Sequence, residues 1–189
     1  MDRDSRYQKT ETSLRNALLQ LLKTKPIDQI TTTELCDAAD VSRNTFYAHY
    51  SAPSLLLESI EDEFIAIVLE IVNSTVQVAD YRALLQRVCE AMMQQKELTA
   101  LLLSENGNRN YLSRFISTMH SRVIDLWGQS ARLNRQDLEL LYDYSTFGVE
   151  RCIRRWTETG FQQTPEELAQ KLTDITEFIF QHYMQRYQI

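Results

Sequence analysis

The sequence predicts an all-α protein of about nine helices, three short N-terminal ones followed by a larger helical body. Three observations carry this. The 189 residues contain only 4 Gly and 3 Pro, too few turn-formers for a sandwich or an α/β enzyme. Apolar residues recur at spacings of three and four along most of the chain. No alternating, strand-like pattern exceeds three residues.

The first helix is expected from about Arg6 to Lys23, on Leu14, Ala17, Leu18, Leu21 and Leu22, and Pro26 stops it. Ile27 and Ile30 flank a short loop. A second, two-turn helix starts at Thr31 or Thr32, where Thr31 and Glu34 have capping-box spacing. Asp40-Val41 makes a turn, and Ser42 caps a third helix to about His49. Pro53 opens a long fourth helix to Ser74, with Leu56, Ile60, Phe64, Ile67, Val68 and Ile71 as its stripe. Asp80 is placed to cap the next, which carries Leu84, Leu85, Val88, Cys89 and Met92. A short helix at Glu97–Leu103 ends in the turn Glu105-Asn106-Gly107-Asn108. Tyr111–Gln129 reads helical through Phe115, Ile116, Met119, Val123 and Trp127. Asn134 and Asp137 begin a helix that Gly160 ends near Thr159. Thr164-Pro165-Glu166-Glu167 starts the last, with Leu168, Leu172, Ile175, Ile179 and Tyr183.

Composition narrows function. The length suffices for a core without disulfides or a structural metal. Cys36, Cys89 and Cys152 form no C-x-x-C pair and read as three small buried residues. The three His are far apart, so no metal set is expected. No apolar run approaches the roughly 18–20 residues of a membrane helix, and no secretion signal is read, so the expected compartment is the cytoplasm. No nucleophile–base pair or phosphate loop is present, so no enzyme and no cofactor are expected. The net charge is −6, yet residues 1–50 are neutral overall, which permits DNA binding there without indicating it.

Residues 31–50 read TTTELCDAADVSRNTFYAHY, the shape of a helix-turn-helix. Leu35, Ala38, Ala39, Val41 and Phe46 are placed to form its small core. Ser42, Arg43, Asn44, Thr45, Tyr47, Ala48 and His49 are left facing outward. Arg43 suits a guanine O6/N7 edge and Asn44 an adenine edge or a phosphate. Thr45, Tyr47 and His49 suit phosphate oxygens. Tyr7 and Lys9 read either as an arm near phosphate or as plain surface.

Through the N-terminal helix, Ile30-Thr31-Thr32-Thr33-Glu34-Leu35, Val41-Ser42-Arg43-Asn44-Thr45-Phe46-Tyr47-Ala48-His49-Tyr50 and Leu55-Leu56, the chain resembles the TetR family of bacterial transcription regulators over roughly residues 6–60. The stretch Arg154–Phe161 followed by Thr164-Pro165-Glu166-Glu167-Leu168 is similar to the end of one group within it. The resemblance implies a DNA-binding domain at 1–52 and a regulatory and dimerisation domain at 53–189. It implies a homodimer that binds a pseudo-palindromic operator in double-stranded DNA, as a repressor released by a small ligand. It places Thr32 or Thr33 on the DNA backbone, Arg43, Asn44 and Thr45 at the groove, and Tyr47 and His49 on phosphates, with Ser42 and Tyr50 completing the set.

Two positions depart from the family pattern: Asp40 stands where Gly is usual in the turn, and Pro53 where a basic residue often begins the fourth helix. With the acidic body, they motivate the alternative of a protein-binding adaptor of the same fold. Met92, Tyr111, Phe115, Met119 and Trp127 suit either the lining of an apolar ligand cavity or an ordinary core. The row Ser145, Gly148 and Cys152 allows close helix approach, across a dimer axis or within the chain. Leu168, Leu172, Ile175 and Ile179 are the better dimer candidates.

Overall fold

The computed structural model describes residues 3–75, 81–108, 111–130 and 133–187. Among them the elements are α1 (Arg3–Leu22), a 3-10 turn (Ile27–Gln29), α2 (Thr32–Ala39), α3 (Arg43–His49), α4 (Pro53–Thr75), α5 (Tyr81–Gln94), α6 (Lys96–Leu102), α7 (Tyr111–Ser130), α8 (Arg135–Glu158) and α9 (Pro165–Tyr187), with no strand. The expected order of helices holds to within a few residues at each end. The expected cap Asp80 lies outside the described residues.

Contacts divide the chain into two units. One is Met1–Phe64 with Leu101–Tyr111, and the other Ile65–Ala100 with Leu112–Ile189. The expected boundary at residue 52 falls inside the first unit. Leu56, Leu57 and Ile60 of α4 are as fully buried as Leu14, Leu18 and Leu22 of α1, so the first half of α4 is part of the N-terminal core. The distant segment 101–111 joins the same unit through Asn106. Its side-chain amide donates to the Leu22 carbonyl at 2.9 Å, and its own carbonyl accepts from the Ile27 N–H at 3.0 Å. Those bonds satisfy backbone groups left open where α1 ends. Asn108 donates to the fully buried Glu61 at 3.1 Å. Gly107 between them has a steric reason: a Cβ there would lie 2.8 Å from the Leu102 carbonyl oxygen.

The caps follow local chemistry. Thr31 Oγ1 accepts from the Glu34 N–H at 3.2 Å and Ser42 Oγ from the Thr45 N–H at 3.1 Å. Only half of the first capping box forms, because the Glu34 carboxylate takes Lys25 Nζ at 2.6 Å instead of the cap's own N–H. Thr164 and Glu167 complete theirs, with bonds of 3.1 and 3.0 Å in the two directions. Asn134 caps α8 through the Asp137 N–H at 2.9 Å.

In the second unit α5 lies along α9. Tyr183 at the end of α9 donates to Asp137 at the start of α8 at 2.8 Å, so those two helices run antiparallel. Tyr142 on α8 donates to the Ile116 carbonyl on α7 at 3.0 Å. Gly160 (φ 75) and Phe161 (φ 59) turn the chain out of α8. The Phe161 ring stands edge-on to Trp156, centroids 4.7 Å apart, and Trp156 Nε1 donates to the Gln163 carbonyl at 2.9 Å.

Two expectations about burial are corrected. The small core of the α2–α3 pair holds Leu35, Cys36 and Phe46, while Ala38 is exposed and Ala39 and Val41 are only half-buried. Starting α2 at Thr32 turns positions 35 and 36 inward and position 38 out. Of the three cysteines, Cys36 and Cys89 are buried but Cys152 is exposed on α8.

Candidate nucleic-acid interface

α2 and α3 are joined by Asp40, which adopts the left-handed conformation (φ 54, ψ 46). Asp enters this region more readily than most residues because its short side chain interferes little, and the tight turn forms without Gly. Phe46, fully buried, pins α3. The opposite face of the helix is thereby turned to solvent. Ser42, Arg43, Asn44, Thr45, Tyr47 and Ala48 are exposed, as is Thr33, and Thr32 is half-buried.

Arg43 and Tyr47 are one helical turn apart and meet. The guanidinium carbon lies 6.0 Å from the Tyr47 ring centroid. Arg43 first, and Thr32 second, hold the Tyr47 phenol below its ordinary pKa. Burial pushes the nearby Cys36 thiol up, although Arg43 opposes it, so Cys36 sits as a protonated core residue.

The expectation that His49 faces outward is corrected, because it turns inward beside Tyr50, while Tyr47 stays in solvent. The His49 side chain is only 4% exposed and its Nδ1 lies 3.0 Å from Glu11 Oε2. Its ring stacks on Tyr7, centroids 4.0 Å apart. Tyr50 donates to Glu11 Oε1. Burial first, and that bond second, push its phenol up to about 12. Tyr7, Glu11, His49 and Tyr50 thus join α1 to the end of α3. No local pattern marks Glu11 for this role, since its partners are 38 and 39 residues away.

The second unit holds an apolar cavity of about 100 Å³, lined by Met92, Phe115 and Met119 together with Val68, Leu84, Tyr142 and others. Of the five candidate lining residues, these three come together. Trp127 packs instead in an aromatic cluster with Phe180, Tyr81 and Tyr142, at 4.5, 5.6 and 6.0 Å. Tyr111 belongs to the N-terminal unit. His120 is bonded to Glu139, which also takes Arg135; the bond to His120 is the main cause holding Glu139 below the usual carboxylate range.

The candidate dimer residues separate too. Ser145, Leu168 and Leu172 are buried within the chain, Gly148 and Cys152 are exposed, Ile179 is half-buried and Ile175 is 57% exposed. Sequence reasoning passed over the larger feature. Leu140, Tyr144 and Phe147 on α8 and Phe178 on α9 are each more than half exposed. Their signal was legible as a second apolar stripe at i, i+4, i+7, opposite Leu138, Leu141 and Tyr142.

Comparison with known proteins agrees with the fold. Residues 80–178 match a family model described as a transcriptional regulator C-terminal region. A transcriptional regulator from Streptococcus agalactiae superposes with a TM-score of 0.72 at 21% identity, covering 92% of this chain and 97% of that one. A second regulator, from Streptomyces coelicolor, gives 0.64 at 15% identity, with 98% and 85% covered. A third, the repressor FadR from Thermus thermophilus solved with lauroyl-CoA, gives 0.58 at 17%, with 88% and 92% covered. No curated protein matches the sequence.

Proposed function

The chain belongs to the TetR family of transcriptional regulators, and from that premise we propose that it is a homodimeric repressor whose α3 helices read a pseudo-palindromic operator. The observation that supports this most is the division of α3. Phe46 is fully buried, while Arg43, Asn44, Thr45 and Tyr47, all able to bond bases or phosphates, are exposed together. Thr33 and Ser42 extend the same polar surface. His49 and Tyr50 brace it from behind through Glu11.

Dimerisation is assigned to the outward stripe of α8 and α9. A monomer rarely leaves so many large apolar side chains of one pair of helices in water, and two helices from each subunit make a four-helix interface. Two reading heads joined in one dimer must meet half-sites about 34–36 Å apart.

The cavity supports release by a small apolar ligand. The Tyr142 hydroxyl at its wall is already bonded to Ile116, and among the described residues no charged side chain lines it. At about 100 Å³ it is smaller than the roughly 300–1,000 Å³ of drug-sized sites. A ligand as large as the lauroyl-CoA of the Thermus thermophilus relative would have to open it further. Val68 and Val72, which line it, belong to α4, and α4 begins at Pro53 in the N-terminal unit.

The test is selection of genomic DNA fragments by the purified protein at physiological salt. The expected result is enrichment of a palindrome, with binding lost in the Arg43→Ala, Tyr47→Ala double variant while the dimer persists. A folded dimer that enriches no sequence points instead to the protein-binding adaptor. The occupation of His49 and Tyr50 by Glu11 favours that reading. The adaptor's partner binding is insensitive to salt, whereas DNA affinity falls steeply as salt rises.

A further inference from the structure

We infer that Glu11 is a positioning residue for DNA reading: it holds His49 and Tyr50 at the end of α3, and so fixes the direction in which that helix presents Arg43, Asn44, Thr45 and Tyr47. His49 then acts through the helix and not on a phosphate. This rests on the DNA-binding reading of α3. It adds to that reading a residue on α1, and gives His49 a task other than the phosphate contact that the family resemblance implies.

Three observations converge. The His49 side chain is only 4% exposed, with Nδ1 3.0 Å from Glu11 Oε2. The Tyr7 ring lies on the imidazole, centroids 4.0 Å and planes 17° apart. With the ring so enclosed, a phosphate reaches it only by displacing an α1 side chain, whereas Arg43, Asn44, Thr45 and Tyr47 are already in solvent. Next, both oxygens of one carboxylate are used, because Tyr50 donates to Glu11 Oε1. Hydrogen bonds prefer particular angles, so two of them to one planar group fix a direction. The buried Phe46 also anchors α3, but an apolar contact is non-directional. Finally, α3 is only seven residues long, and its Ser42 cap bonds to Thr45 of the same helix, which leaves the tie to α1 to orient it. Base edges are read at hydrogen-bond distances and angles, so a tilted helix loses several base contacts together. Attraction to the phosphates survives the tilt. A helix already held in its reading direction also loses less freedom on docking.

The wild-type protein first selects an operator from a random-sequence double-stranded DNA pool. Affinities for that operator and for an unrelated duplex of equal length are then measured over a series of salt concentrations. The proteins are wild type, Arg43→Ala, Glu11→Ala, Glu11→Gln, His49→Ala and the Glu11→Ala, His49→Ala double variant, each checked for folding by circular dichroism. Glu11→Ala is expected to weaken operator binding about tenfold or more while binding to the unrelated duplex and the salt slope stay as in wild type. Glu11→Gln, which can accept from Tyr50 and donate to His49, should return to within about threefold of wild type. His49→Ala should lower the operator preference without changing the salt slope. The double variant should match Glu11→Ala, because His49 acts through that carboxylate. A variant that is merely less stable contains less folded protein, which weakens binding to both duplexes by the same factor.

Equal losses on the two duplexes, or an operator preference that Glu11→Ala leaves intact, reduce Glu11 to a structural role and overturn the inference. So does a loss in Glu11→Gln as large as in Glu11→Ala. Tighter DNA binding by Glu11→Ala would mean that the carboxylate withholds His49 from DNA instead of aiming α3. A His49→Ala loss that is uniform across sequences and lowers the salt slope by about one makes His49 a phosphate contact, and overturns its assigned task. If wild type enriches no DNA, or Arg43→Ala binds as wild type, the DNA reading of α3 fails and this inference with it.

Discussion

The imidazole Nδ1 of His49 lies 3.0 Å from Glu11 Oε2, tying the last turn of α3 to the middle of α1. The other oxygen of the same carboxylate accepts from Tyr50. One acidic side chain thus satisfies two polar groups at the end of α3 and ties that end to α1.

Removing that carboxylate leaves both groups without their partner. Glu11→Ala is expected to destabilise the N-terminal unit by about 1–2 kcal/mol, at the lower end of the range for a lost buried bond because the site is partly wet. Glu11→Gln, whose amide can still accept from Tyr50 and donate to His49, should recover most of it. Denaturant unfolding followed by circular dichroism measures both, and equal losses in the two variants would show that the bonds do not matter.

Alkaline pH probes the buried phenols. Burial is the leading cause that pushes Tyr50 and Tyr81 up to about 12 from an ordinary 10.0. In the unfolded chain both ionise near 10, so between about 10 and 12 the folded state holds more protons. Stability is therefore expected to be unaffected by these groups below pH 10 and to fall as pH rises through that window. Urea midpoints from pH 8 to 11 should fall less steeply in Tyr81→Phe and in Tyr50→Phe. A slope equal to that of wild type in both would exclude the two phenols as its source.

The exposed apolar stripe gives a prediction about assembly. Phe147 is 56% and Phe178 is 70% exposed, and a charge at either place must be desolvated if the surface is covered. Sedimentation velocity is expected to show a dimer for wild type and a monomer for Phe147→Glu, Phe178→Glu, with unchanged helical content. A dimer that survives both substitutions places the interface elsewhere.

Asp40 offers a gain rather than a loss. Its left-handed backbone (φ 54) is strained for any residue with a Cβ. Asp40→Gly should raise stability, by up to about 1 kcal/mol, and Asp40→Val should lower it. Thermal unfolding decides; a lower midpoint for the Gly variant would mean that the carboxylate contributes more than the strain it incurs.

The helices, their caps and the helix-turn-helix were legible because each depends on residues no more than about four apart. Thr31, Ser42, Asn134 and Thr164 cap because their oxygens reach an N–H three residues on. Pro26 and Gly160 act through their own backbones. Most of the outward set on α3 was legible by the same logic, since burying Phe46 leaves Arg43, Asn44, Thr45 and Tyr47 in solvent, but His49 turns inward to Glu11.

Only the tertiary structure decided what those local patterns are used for. Glu11 finds His49 across 38 residues and Asn106 finds the Leu22 carbonyl across 84, separations at which spacing carries no information. α8 is apolar on two sides, and periodicity alone does not say which side its own chain covers. Packing covered Leu138, Leu141 and Ser145 and left Leu140, Tyr144 and Phe147 in solvent. Local chemistry specified the parts and their polar faces. Which face meets its own fold is settled by the burial that all the helices achieve together, and that sum is not written in any one of them.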